Sequence, residues 1–124
     1  MKSQYRKKIS KKNLYKEFVR VLNGLLQLSD REAEVLQLLM DIDAHWHPVL
    51  ETDLKNILST DNRRALMKET RINKNNLTKY LNILKDKGIL VGDKETGYYI
   101  NPIFMPKETS GIVEIVFILD LENN

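Results

Sequence analysis

The chain contains no cysteine among its 124 residues. A disulfide framework, a thiolate metal site and a cysteine nucleophile are therefore excluded. It has no apolar run long enough to cross a bilayer, and no apolar segment follows the basic N-terminal residues as a signal peptide would require. These absences predict a cytoplasmic protein that is not embedded in a membrane. There is no internal repeat and no low-complexity segment. No phosphate-binding glycine loop and no Ser-His-Asp arrangement is found, and the acidic residues form no convincing general acid–base pair. Catalysis is not expected, and no cofactor is called for.

What is present is a chain of single-domain length, 42% hydrophobic, able to bury a small core. Its net charge of +3 conceals a strong segregation. Residues 1–20 hold eight Lys/Arg against one Glu, whereas residues 21–60 hold two against seven Asp/Glu. Residues 61–100 are basic again, nine against five, and residues 101–124 are acidic. Basic clusters of this kind are the electrostatic footprint of a polyanion-binding face, although many charge runs are only solvated.

Residues 1–9 read as a flexible basic arm, able to track phosphates or simply to solubilise. Leu14, Phe18, Val21, Leu22, Leu25 and Leu26 follow helical spacing and predict an N-terminal helix within residues 10–28. A second helix starts at "SDREAEVLQLL", where Ser29 and Glu32 form a capping-box pair ahead of the stripe Val35, Leu36, Leu39 and Ile42. Pro48 breaks it. A short helix is expected over residues 51–58. Another opens at "STDN" and contributes Ala65 and Leu66 to the core. Asn73 then caps a longer helix, with Ile72 stapled to Leu77 and Gly88 in the left-handed position that ends it. "ILV", "GDKETG" and "YYIN" predict a β-hairpin, which Pro102 stops from continuing. Last, "GIVEIVFILDL" predicts a strand over residues 111–121 that is apolar on both sides and so needs cover on both.

On a wheel at 100° per residue, Leu77, Leu81, Leu84 and Gly88 share one narrow sector of the longer helix. Asn75, Lys79 and Asn82 lie roughly opposite, with Asn76 on the flank and Ile83 awkwardly near the polar side. Asn and Lys are ordinary surface residues, so a solvated face is the bland explanation.

The order helix, short helix, turn, longer helix, hairpin resembles a winged helix-turn-helix. The likeness is carried by Leu77, Leu81, Leu84, Gly88 and Ile89, similar to the Leu-x-x-x-Leu-x-x-Leu-x-x-x-Gly-hydrophobic pattern that ends many winged-helix recognition helices. It covers residues 30–101. "GYYINP" is similar to the close of the wing in plasmid and phage replication initiators. The chain departs from a minimal winged helix in its N-terminal helix, an insertion at residues 44–60 and the C-terminal strand. The expected fold class is thus α+β and mostly helical: a winged-helix domain over residues 29–105, flanked by the N-terminal helix and a C-terminal oligomerisation strand at 106–124.

The resemblance implies that residues 74–87 enter the major groove of double-stranded DNA and that residues 89–101 form the wing. Asn75, Asn76 and Asn82 can pair with adenine, and Lys74 and Lys79 can donate to guanine or phosphate. Thr78 and Tyr80 can bond phosphate oxygens, while Arg71 and Lys94 hold the backbone. The expected function is that of a transcription regulator or a plasmid- or phage-type replication initiator. A homodimer is expected through the first helix and the strand at 111–121. The alternative is a winged-helix interaction module, a structural subunit of a larger assembly such as a phage particle, with a protein partner. "DIDAHWHP" brings Asp41, Asp43, His45 and His47 close in sequence, but the His-x-His spacing suits a strand and nothing fixes a third ligand, so no metal is expected. Trp46 is expected to anchor a core or an interface.

Overall fold

The computed structural model describes residues 4–123, so the first three residues of the expected arm and Asn124 lie outside the described residues. The class is α+β, with four α-helices and two small antiparallel hairpins. After a 3-10 turn at Lys11–Asn13 come α1 (Leu14–Leu26), α2 (Asp30–Ala44), α3 (Thr60–Thr70) and α4 (Lys74–Asp86). The hairpins are β1 (Leu90–Asp93) with β2 (Gly97–Ile100), and β3 (Glu108–Thr109) with β4 (Ile112–Val113).

Helix α2 is the centre, packed against α1, α3, α4 and β2. Its start is fixed as the sequence implies: Ser29 Oγ accepts from the Glu32 N–H and Glu32 Oε1 accepts from the Ser29 N–H, each at 3.2 Å. Val35, Leu36, Leu39 and Met40 are fully buried, and Ile42 partly so. On α1 the buried face is Phe18, Val19 and Leu22, while Val21 and Leu25 stay exposed. The expected stripe is wider than the observed contact because, among the described residues, α1 packs mainly on α2. The end of α1 is pinned: Gln27 is left-handed, and the Asn23 side chain both accepts from the Leu28 N–H at 2.7 Å and donates to the Leu28 carbonyl at 3.0 Å.

Residues 51–58 form no helix, contrary to expectation. Short polar side chains take the backbone donors that a helix needs. Asp53 Oδ2 accepts from the Val49 and Leu50 N–H groups, and Asn56 Oδ1 accepts from the N–H groups of Leu58 and Tyr98. The Ile57 N–H donates to the Tyr98 carbonyl at 2.9 Å. The insertion thus ends alongside β2, with Ile57 and Leu58 in the core.

Ser59 caps α3, which buries Leu66 but leaves Ala65 exposed, so only one of its two expected core contacts is made. A left-handed Arg71 turns the chain toward α4. The C-terminal strand is a larger departure. Of residues 111–121, only Ile112–Val113 is paired, and residues 114–123 carry no regular structure. A strand exists through its ladder partner, and among the described residues the only partner is the two-residue β3.

Candidate functional site

Helix α4 is locally over-determined. Asn73 Oδ1 accepts from the Asn76 N–H at 2.8 Å to start it. At its end the Ile89 N–H donates to the Leu84 carbonyl and the Gly88 N–H to the Lys85 carbonyl, both at 3.0 Å, with Gly88 at φ 73°. This is a Schellman closure, and its hydrophobic partners Leu84 and Ile89 are both fully buried. Leu77, Leu81 and Leu84 form the inner face, joined at the staple by Ile72. Ile83, misplaced on a simple wheel, is half-buried and packs against the core.

The outer face is polar. Lys74, Asn75, Asn76, Thr78, Lys79 and Asn82 are all exposed. Among the described residues none of these side chains makes a hydrogen bond or ion pair; Asn76 engages Asn73 only through its backbone N–H. Arg71 and Lys94 are exposed as well, one between the helices and the other at the β1–β2 turn. Tyr80 stands apart from the other candidates, since its ring is half-buried against the core.

The hairpin is tied to α4 on several lines. The Asn101 N–H donates to the Ile89 carbonyl at 2.8 Å, and Asn101 Nδ2 to the Gly88 carbonyl at 3.1 Å. Lys85 Nζ lies 4.4 Å from the centre of the Tyr98 ring, a cation–π contact. At the tip, Asp93 Oδ1 accepts from the Glu95 N–H, the Thr96 N–H and the Thr96 hydroxyl. Hydrogen bonds from Thr96, backbone first and then hydroxyl, hold the Asp93 carboxyl below its ordinary value. Lys94 is therefore flanked by a charged Asp93 and by Glu95, so the tip is less basic than Lys94 alone implies.

The structure sorts the cations of residues 61–100. Arg63 Nε donates to the Leu58 carbonyl, Lys87 Nζ to the Leu26 carbonyl, and Lys85 sits over Tyr98. These are committed to internal contacts. Arg64, Lys68, Arg71, Lys74, Lys79 and Lys94 are exposed without an acidic partner among the described residues. Arg64 and Lys68, spaced i, i+4 on α3, were not singled out from the sequence; that spacing was the available signal.

Asp43 was also missed in its actual role. Its side chain is buried, with Lys55 Nζ at 2.7 Å on one oxygen and the Ile100 N–H at 2.8 Å on the other. It lies three and four residues beyond Met40 and Leu39 on the buried face of α2, a pattern legible in advance. Its carboxylate is consequently engaged, and His45 is turned back on its own helix end, with Nδ1 2.9 Å from the Asp41 carbonyl. No group of three potential ligands able to hold a metal exists among the described residues. Trp46 is half-buried but lies outside the core cluster.

On the arm, Lys7 Nζ bonds Glu17 at 2.9 Å, and on the 3-10 turn that follows Lys11 approaches Glu108 at 3.6 Å. The hydrogen bond from Lys7, aided by the charges of Arg20 and Lys16, lowers the Glu17 carboxyl. Tyr15 is shifted upward by burial and by the nearby negative charges of Asp41 and Asp43. Among the described residues no helix is long and apolar enough to cross a membrane. Comparison of the chain with protein-family models, with curated proteins and with solved structures finds no match.

Proposed function

We propose that this chain is a winged-helix protein that binds double-stranded DNA, as a transcription regulator or a plasmid- or phage-type replication initiator. Helix α4 serves as the recognition helix and β1–β2 as the wing. The observation that carries the reading is the outer face of α4, where Lys74, Asn75, Asn76, Thr78, Lys79 and Asn82 are exposed and unengaged while the opposite face is locked in the core. A bare, uncommitted row of amides and ammonium groups on a rigid helix suits readout of base edges and phosphates. Arg71 and Lys94 extend it with phosphate contacts, and Arg64 and Lys68 are further candidates. Tyr80 is the weakest of the assigned contacts because its ring is partly sequestered.

A second reading keeps the fold and changes the partner. The exposed apolar residues Val116, Ile118, Leu119 and Leu121 favour an interaction module within a larger assembly. Binding of the purified chain to random-sequence duplex DNA across a salt series separates the two. The first reading expects steep salt dependence, with a log–log slope of about −4 to −5 if roughly five phosphates are neutralised. Replacing Lys74, Lys79 and Lys94 together by Ala makes the slope shallower by about 3. A folded protein that binds no duplex at low salt sinks the DNA reading.

A further inference from the structure

The largest unexplained feature is the tail. Beyond β4 the chain runs through Glu114, Ile115, Val116, Phe117, Ile118, Leu119, Asp120 and Leu121 without a ladder partner. Burial alternates at its start: Val113 and Ile115 are half-buried against the core cluster, whereas Val116 and Ile118 are 76% and 78% exposed. An open groove of about 370 Å³ separates this segment from α1, lined by Phe18, Leu22, Leu25, Phe104, Ile115 and Phe117, among others. Of its lining, Leu25 and Ile103 are exposed. So much contiguous apolar surface marks an interaction site. A hairpin of two residues per strand is, moreover, marginal on its own.

We propose that this surface is covered by a second copy of the chain, the two tails running antiparallel about a two-fold axis. The β3–β4 hairpins of the two copies then join edge to edge into one four-stranded sheet. Two observations select a second copy over a foreign chain. The first is that the tail supplies what it lacks: a β-prone, Pro-free strand whose backbone groups are unpaired is complementary to itself when antiparallel. The second is charge. Lys11, at the root of the basic arm, reaches Glu108 on β3, which is paired with Val113 at the start of a tail that carries Glu114, Asp120 and Glu122. A two-fold axis beside that hairpin sets the acids of each copy near the lysines of the other. Pairing centred on Phe117 or Ile118 places acid opposite acid, which is unfavourable; pairing centred on Val116 places Glu114 opposite Ile118 and Asp120 opposite Ile112.

This inference does not depend on DNA binding, and its test contains no DNA. Sedimentation equilibrium of the wild-type chain is expected to give twice the 14.5 kDa chain mass at concentrations of tens of micromolar. Val116→Glu with Ile118→Glu is expected to weaken self-association at least about 30-fold. Helical circular dichroism should be unchanged, because both side chains are exposed in the single chain. Since the chain has no cysteine, Val116→Cys provides a second reading that leaves the fold intact: mild oxidation should link two copies, whereas Ala65→Cys on α3 should not. A wild type that stays monomeric overturns the proposal and assigns the surface to a different protein. A dimer that survives the double substitution, or one that links through residue 65 but not 116, overturns it by placing the interface elsewhere.

Discussion

At the scale of single residues, Asp43 has the most to lose. Its carboxylate satisfies the buried Ile100 N–H and pairs with Lys55, joining α2 to the hairpin and to the insertion. Asp43→Ala leaves a buried donor unpaired and strands an ammonium group, so urea unfolding should show a loss of about 2–4 kcal/mol. Asp43→Asn keeps an acceptor for Ile100 and should cost clearly less; equal losses would mean that the hydrogen bond to Ile100 contributes little. Asp93 makes a different prediction, in pH. Because its carboxyl is lowered in the folded chain by bonds from Thr96 and Glu95, its contribution is fully present above the ordinary carboxylate range. That contribution is lost as pH falls through the lowered value. The amide resonances of Glu95 and Thr96 should therefore titrate below the ordinary aspartate range, and Thr96→Ala should move that titration upward. A titration at the ordinary value in the wild type would contradict this.

At the scale of elements, two glycines that look alike in the sequence behave differently. Gly88 and Gly97 both have positive φ, but a Cβ at Gly88 meets open space, whereas one at Gly97 overlaps the Lys55 carbonyl. Gly88→Ala should cost about 1 kcal/mol, and Gly97→Ala considerably more, read as a larger fall in thermal midpoint and loss of the Ile57–Tyr98 bond. The contrast shows what the sequence could and could not disclose. Caps at Ser29, Ser59 and Asn73 and the end at Gly88 were legible because each depends on neighbours within a few residues. So was the inner face of α4, since Leu77, Leu81 and Leu84 obey one period. The path of residues 55–57 along β2 was not, because its bonds span about forty positions and its Asn56 resembles any loop asparagine. The tail failed in the opposite direction: its alternation is a strand pattern, but pattern supplies no ladder partner. On the candidate face, exposure of the Asn and Lys residues followed from the wheel, while Tyr80 and Ile83 sit at its margin, where a helical projection cannot assign a side.

At the scale of the molecule, the basic arm and the basic half of residues 61–100 are separate features, and they should separate by experiment. Removing residues 1–9 deletes the exposed Lys7–Glu17 pair, and surface pairs contribute little. The thermal midpoint should hardly move. If the arm tracks phosphates, the same deletion should flatten the salt dependence of duplex binding; an unchanged slope would leave the arm as a solubilising tail.

The ties between α4 and the β1–β2 hairpin have a mechanical consequence. With Gly88, Ile89 and Asn101 bonded in sequence across the junction, and Lys85 seated on Tyr98, there is no slack between helix and hairpin. On the proposed function they would act as the two jaws of a calliper whose gap is set when the chain folds. A surface gripped by both jaws would then have to possess that width already or be bent to it, because opening the gap would break these bonds.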